Sequence, residues 1–158
     1  MKWRVAVALA CSVGLHAHTR LRIPIDGVDP ETVKRGFYEA REGHPHEAVD
    51  ILAPRNTPVH AVEDGTIARL FWSKGGGGNT IYEFDPSVTY AYYYAHLERY
   101  AEGLKEGQHV AAGQVIGYVG TSGNAPKNTP HLHFAVFELT PARRWWQGKA
   151  VDPYPFFK

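Results

Sequence analysis

The stretch Thr129-Pro130-His131-Leu132-His133-Phe134-Ala135-Val136-Phe137 decides the fold. Successive side chains on a strand leave opposite faces, so His131, His133, Ala135 and Phe137 share one face and Leu132, Phe134 and Val136 the other. This pattern predicts a strand laid on an apolar core, with two imidazoles held in the same space. Imidazoles at the mouth of an apolar strand are costly to bury unless their ring nitrogens are satisfied. Two arrangements satisfy them: a metal ion with a nearby acid-base partner, or a hydrogen-bonded histidine pair at a strand end.

Working outward, His44-Pro45-His46-Glu47-Ala48-Val49-Asp50-Ile51-Leu52 is the second informative stretch. In an extended segment His46, Ala48 and Asp50 face one way and Val49 and Ile51 the other, presenting an imidazole and a carboxylate together. A buried Asp-His hydrogen bond or a polar strand face has the same spacing. His44, separated from Asp50 by Pro45, reads as a loop residue. Val88 to Leu97 is a tyrosine-rich strand ending at His96. Alternation puts Tyr92 and Tyr94 on the face of His96, opposite Tyr93, which offers a phenol to a cleft beside the imidazole; for most of the tyrosines sheet packing is the preferred reading, whereas His96 stands at a strand end where sites are commonly built.

Between and beyond these segments the chain reads as short strands: Pro58 to Val62, Thr66 to Trp72, Thr80 to Phe84, and two more within His109 to Gly120. Gly75 to Gly78 lack a following P-loop Lys-Ser/Thr and any helical pattern, which excludes a phosphate cradle and leaves a flexible turn near the site. The polar run Thr121 to Pro130 feeds the two-histidine strand and reads as one wall of a groove. Upstream, Asp29 caps a short helix that opens at Pro30 and runs to Arg41, with Val33, Phe37 and Tyr38 as its apolar stripe; it packs across a sheet edge and carries no chemistry. The tail from Trp145 through Pro155, rich in aromatics and prolines, wraps the outside of the sheet.

A chain of 158 residues with 13% aromatic side chains supports one domain with its own core and is not disordered. Met1-Lys2-Trp3-Arg4 followed by Val5 to Leu15 reads as a signal peptide over residues 1–17, too short to span a bilayer as an anchor. An N-terminal extension with the short helix over 18–43 and a body over 44–158 follow. Removing 1–17 takes away Lys2 and Arg4 and no acid, turning the net charge of +1 into −1, so nothing in the charge points to nucleic acid. The only cysteine, Cys11, lies in the leader, where Ala8-Leu9-Ala10-Cys11 offers lipid anchoring as an alternative; the body has neither disulfide nor thiolate ligand.

In order, His46-x-x-x-Asp50, Tyr94-Ala95-His96-Leu97, Gly107-x-x-Val110-x-x-Gly113-Gln114-x-Ile116-Gly117, Gly120-x-Ser122-Gly123 and His131-Leu132-His133-Phe134 resemble the lysostaphin/LytM-type zinc metalloendopeptidases, over residues 44–138. The resemblance implies a mainly β fold, an antiparallel sheet core of the duplicated-hybrid-motif type. It implies one Zn²⁺ per chain on His46, Asp50 and His133, with His96 and His131 as the catalytic pair. Three protein ligands leave a fourth zinc position for water. His131 is then the general base and His96 the group that stabilises the oxyanion or shuttles a proton, and these roles are interchangeable at this stage. Ala48 stands where the family usually has glycine. The implied substrate is a peptide bond in the stems or cross-bridges of bacterial peptidoglycan, cut by an exported enzyme in the periplasm or outside the cell. The competing readings are a non-catalytic wall-binding or amidase-activating module on the same fold and a sugar-transport phosphocarrier; the complete histidine set argues against both.

Overall fold

Leu132, Phe134 and Val136 are fully buried, and their strand pairs with three others. We describe a computed structural model over residues 20–41 and 43–157; the expected leader and Cys11 lie outside these described residues. The described residues form β1 (Ala40–Arg41), β2 (His44–Pro45), β3 (Val49–Leu52), β4 (Pro58–His60), β5 (Gly65–Ser73) and β6 (Gly78–Phe84). They continue as β7 (Tyr90–Tyr100), β8 (His109–Val110), β9 (Val115–Val119), β10 (His131–Leu139) and β11 (Gly148–Val151). One sheet runs β11-β10-β7-β6-β5-β8, with β3 added on β10 and β9 and then β4 added on β7; every pairing is antiparallel. The expected antiparallel β core is therefore present. β1 and β2 form a separate two-stranded ribbon.

The core face of β10 packs against Tyr92 and Tyr94 of β7, Val49 and Ile51 of β3 and Ile81 of β6. Strand parity makes the opposite face carry His131, His133, Ala135 and Phe137, as alternation requires. The tyrosine strand departs from simple alternation. Asn79 pairs with Leu97 but Ile81 with Tyr94, so β7 holds one extra residue, a bulge in which His96 takes φ 61°. The bulge moves His96 onto the face of Tyr93. Tyr92 and Tyr94 are buried in the core, as sheet packing requires, and Tyr93 is the tyrosine that meets His133, which corrects the face that alternation assigned to His96.

The short helix opens at Pro30 as expected, with Asp29 Oδ1 accepting from the Glu31 amide at 3.0 Å. It stops after one 3₁₀ turn (Pro30–Val33), and a second turn follows at Gly36–Tyr38. Val33 is buried but Tyr38 is 68% exposed, so no apolar stripe forms. The second turn lends its backbone to the hairpin instead: the Glu39 carbonyl accepts from the His46 amide (2.8 Å) and the Phe37 carbonyl from the Glu47 amide (3.0 Å). Glu47 at φ 57° breaks the extended run expected from His44 to Leu52. The tail does more than wrap the outside: β11 pairs with β10, and Phe156 and Phe157 enter the core.

Candidate metal centre

Cross-strand pairing places His133 opposite Asp50 of β3 on one side and Ala95 of β7 on the other, just before the His96 bulge. The Glu47 turn brings His46 in from the ribbon. His46 Nε2, Asp50 Oδ1 and His133 Nδ1 consequently meet in a triangle with edges of 3.1, 3.0 and 3.3 Å. His131 Nε2 stands 3.8 Å from Asp50 Oδ1, and the His96 ring centroid is 4.9 Å from that of His131 and 5.7 Å from that of His133. All five side chains singled out in the sequence share one site.

Backbone carbonyls set the tautomers. His46 Nδ1–H donates to Gly36 (3.1 Å), His96 Nδ1–H to Ser122 (2.9 Å) and His131 Nδ1–H to Thr129 (2.8 Å). Each ring then keeps an Nε2 lone pair. His46 Nε2 and Asp50 Oδ1 are both acceptors, and a single proton on His133 Nδ1 serves only one of the triangle's edges at a time. A cation serves all three. With ligand bonds of 2.0–2.1 Å, a tetrahedral zinc separates its N and O ligand atoms by roughly 3.3 Å, close to the spacing here, and the donor set of two imidazoles and one carboxylate suits that metal. The described residues yield this one group of His, Asp and Glu able to hold a metal ion.

The electrostatics agree. Burial would raise the Asp50 carboxyl, but the hydrogen bond with His133 and the charges of His133, His46 and His131 outweigh it and hold Asp50 well below the usual carboxylate range. Burial lowers His46, with the neighbouring His133 and Arg41 adding to it against Asp50. Burial likewise depresses His96 to about 4, despite the Ser122 carbonyl. Asp50 is thus charged and both rings are neutral at pH 7, the state in which they ligate metal or accept protons.

A groove of about 750 Å³ opens above these groups, with Asn124, Ala125, Pro126 and Thr129 along one side, so the polar run before β10 does form a wall. His44 is exposed at the rim. Sequence reasoning missed Arg41, whose Nη2 donates to Asp50 Oδ2 at 2.8 Å and to Glu39 Oε2 at 3.3 Å. Nothing in its local pattern distinguishes it from a solvated helix-end cation. Gly75 to Gly78 lie beside the site as expected, but all save the exposed Gly75 are packed and not loose: the Gly77 carbonyl accepts from the His96 amide (2.7 Å) and the Gly76 carbonyl from the Asn124 amide (2.9 Å). A Cβ at Gly77 would collide with the Tyr93 hydroxyl.

The model of Peptidase family M23 matches residues 44–153. The chain is 38% identical over 118 residues to the L-Ala--D-Glu endopeptidase of Bacillus subtilis, covering 72% of this chain and 34% of that protein. It is 36% identical over 116 residues to lysostaphin of Staphylococcus simulans, covering 73% of this chain and 22% of that protein. The chain thus spans 34% and 22% of these relatives' lengths. The crystallized catalytic domain of lysostaphin superposes with a TM-score of 0.64 at 35% identity, over 77% of this chain and 86% of that one. Matched over most of its length in sequence, and in fold to a solved peptidase, the chain belongs to peptidase family M23.

Proposed function

We propose that this protein is an exported zinc endopeptidase that hydrolyses peptide bonds in the stems or cross-bridges of bacterial peptidoglycan. The carrying observation is the triangle of His46 Nε2, Asp50 Oδ1 and His133 Nδ1, flanked by two imidazoles that take no part in it. The named activities of the M23 relatives, an L-Ala--D-Glu endopeptidase and lysostaphin among them, support the substrate class. The basic and apolar leader supports export to the periplasm or beyond.

In this reading His46, Asp50 and His133 are the ligands. Bound zinc supplies the Lewis acidity that polarises a peptide carbonyl and acidifies water. His131, whose Nδ1–H is held by the Thr129 carbonyl and whose Nε2 stands beside the ligand triangle, takes the proton of the attacking water. His96 is neutral and its Nε2 carries a lone pair, so it cannot donate to an oxyanion until it has gained a proton; of its two roles the proton shuttle to the leaving amine is favoured. The groove admits an extended peptide over both rings.

The test combines zinc content with release of fragments from purified peptidoglycan for wild type, His133→Ala and His131→Ala. We expect about one zinc per chain in wild type, loss of zinc and turnover in His133→Ala, and retained zinc with turnover lowered by about 10²-fold or more in His131→Ala. A wild type that holds no zinc and releases nothing would replace this reading with a non-catalytic wall-binding module.

A further inference from the structure

The face of the sheet that bears the metal centre does not end there. Tyr93 of β7 touches His133 edge-on, with ring centroids 6.0 Å apart, and packs on Tyr82 of β6 at 4.7 Å. Tyr82 in turn meets Trp145, 4.7 Å away, and Trp145 meets Phe71 of β5 at 5.7 Å and Trp146 at 5.1 Å. Aromatic rings therefore run across the strands from the metal centre to the β10–β11 turn. The outer end is open, with Trp146 59% and Phe71 40% exposed. Cations brace it: the Arg69 guanidinium lies 5.8 Å from the Trp145 ring centroid and that of Arg144 5.5 Å from the Trp146 centroid. Exposed aromatic rings rimmed by polar and charged side chains mark a binding surface, since water solvates them poorly.

We infer that this platform, centred on Trp145 and Trp146, is a subsite for the sugar rings of the glycan strand that carries the scissile peptide. A pyranose presents an apolar C–H face and an edge of hydroxyl and amide groups. The platform offers the complement, flat rings with Arg69, Arg144 and Gln147 around them. Position argues for the same occupant. From β10 to β5 is three strand spacings, about 14 Å, which an extended peptide of about four residues spans. A short peptide tethered to a glycan can thus place its backbone over the metal centre and its sugar on the tryptophans. This rests on the peptidoglycan reading above and extends it from the peptide to the glycan.

The test is calorimetric titration of the zinc-loaded protein with tetra-N-acetylchitotetraose, for wild type, Trp146→Ala and Trp146→Phe. We expect wild type to bind, Trp146→Ala to bind about 10-fold more weakly, and Trp146→Phe to recover most of that loss. In parallel, Trp146→Ala should raise KM on intact peptidoglycan about 10-fold with kcat unchanged, and leave hydrolysis of a glycan-free stem peptide as in wild type. Absent or variant-independent binding of the oligosaccharide overturns the inference. So does a Trp146-dependent binding to anionic lipid vesicles or self-association, with no sugar bound, since each names a different occupant. Should the sugar bind through Trp146 while wild type cleaves neither substrate, the platform stands and the peptidase reading falls.

Discussion

At the scale of single residues the site is built from acceptors aimed by backbone carbonyls, and Arg41 completes it. Arg41 holds Asp50 Oδ2 and leaves Oδ1 to the ligand triangle. Groups that orient a metal ligand typically contribute 10–100-fold to metal affinity. Arg41→Ala is accordingly expected to weaken zinc binding by about 10-fold or more, read by competition with a chelating dye, while the melting curve of the metal-free protein moves little because the side chain is 46% exposed. Unchanged zinc affinity would mean that Arg41 merely rests against the site. His133 and Asp50 were legible because each sits in a strand with clear parity, whereas His46 lies outside a strand, before the Glu47 turn, and was legible only through its H-x-x-x-D spacing within the family motif. Arg41 was not, because its partner lies nine positions away across a turn that local pattern does not reveal.

At the scale of elements, the glycine turn between β5 and β6 holds the bulge that aims His96. The Gly77 carbonyl takes the His96 amide, and Gly77 has no room for a side chain above Tyr93. Gly77→Ala is expected to displace the turn and with it the imidazole, cutting peptide hydrolysis by about 10²-fold through misplacement alone. Zinc content should stay at the wild-type level, since no ligand lies on the turn. Gly75→Ala is the control: nothing lies within 4 Å of its added Cβ, and activity should persist. Equal activity in the two variants would remove the turn from the mechanism. Nothing local announced the bulge, which arises from the mismatch of β7 with β6. The helix that opens at Pro30 stops short of Arg41 for a related reason, since the carbonyls of Gly36, Phe37 and Glu39 are engaged by the hairpin.

At the scale of the molecule, the far side of the sheet buries a carboxyl. Glu83 is fully buried; Tyr94 donates to its Oε2 at 2.6 Å, and the Tyr94 hydroxyl accepts from the Val62 amide at 3.1 Å. Burial pushes Glu83 up to about 8, against an ordinary 4.5. The folded protein therefore keeps this proton while the unfolded chain loses it. The contribution to stability is full below pH 4.5 and is lost as pH rises to about 8. Glu83→Gln stays neutral and removes that slope. The variant should melt with wild type near pH 5 and higher than wild type at pH 8, by about 5 °C or more. Parallel melting profiles from pH 5 to pH 8 would show that Glu83 does not titrate in this range.

The sequence by itself determined the short strands and the core face of β10, because alternation is a local property of the chain; the antiparallel sheet and the grouping of His46, Asp50, His96, His131 and His133 were legible only through the ordered motifs that resemble the family. The tertiary structure alone decided which tyrosine faces the metal centre, where the helix stops, that Arg41 completes the site and that Trp145 and Trp146 extend its face. Those outcomes depend on hydrogen bonds and ring contacts between residues distant in sequence, such as Gly77 with His96 and Tyr82 with Trp145, and no local pattern encodes which distant partner a residue meets.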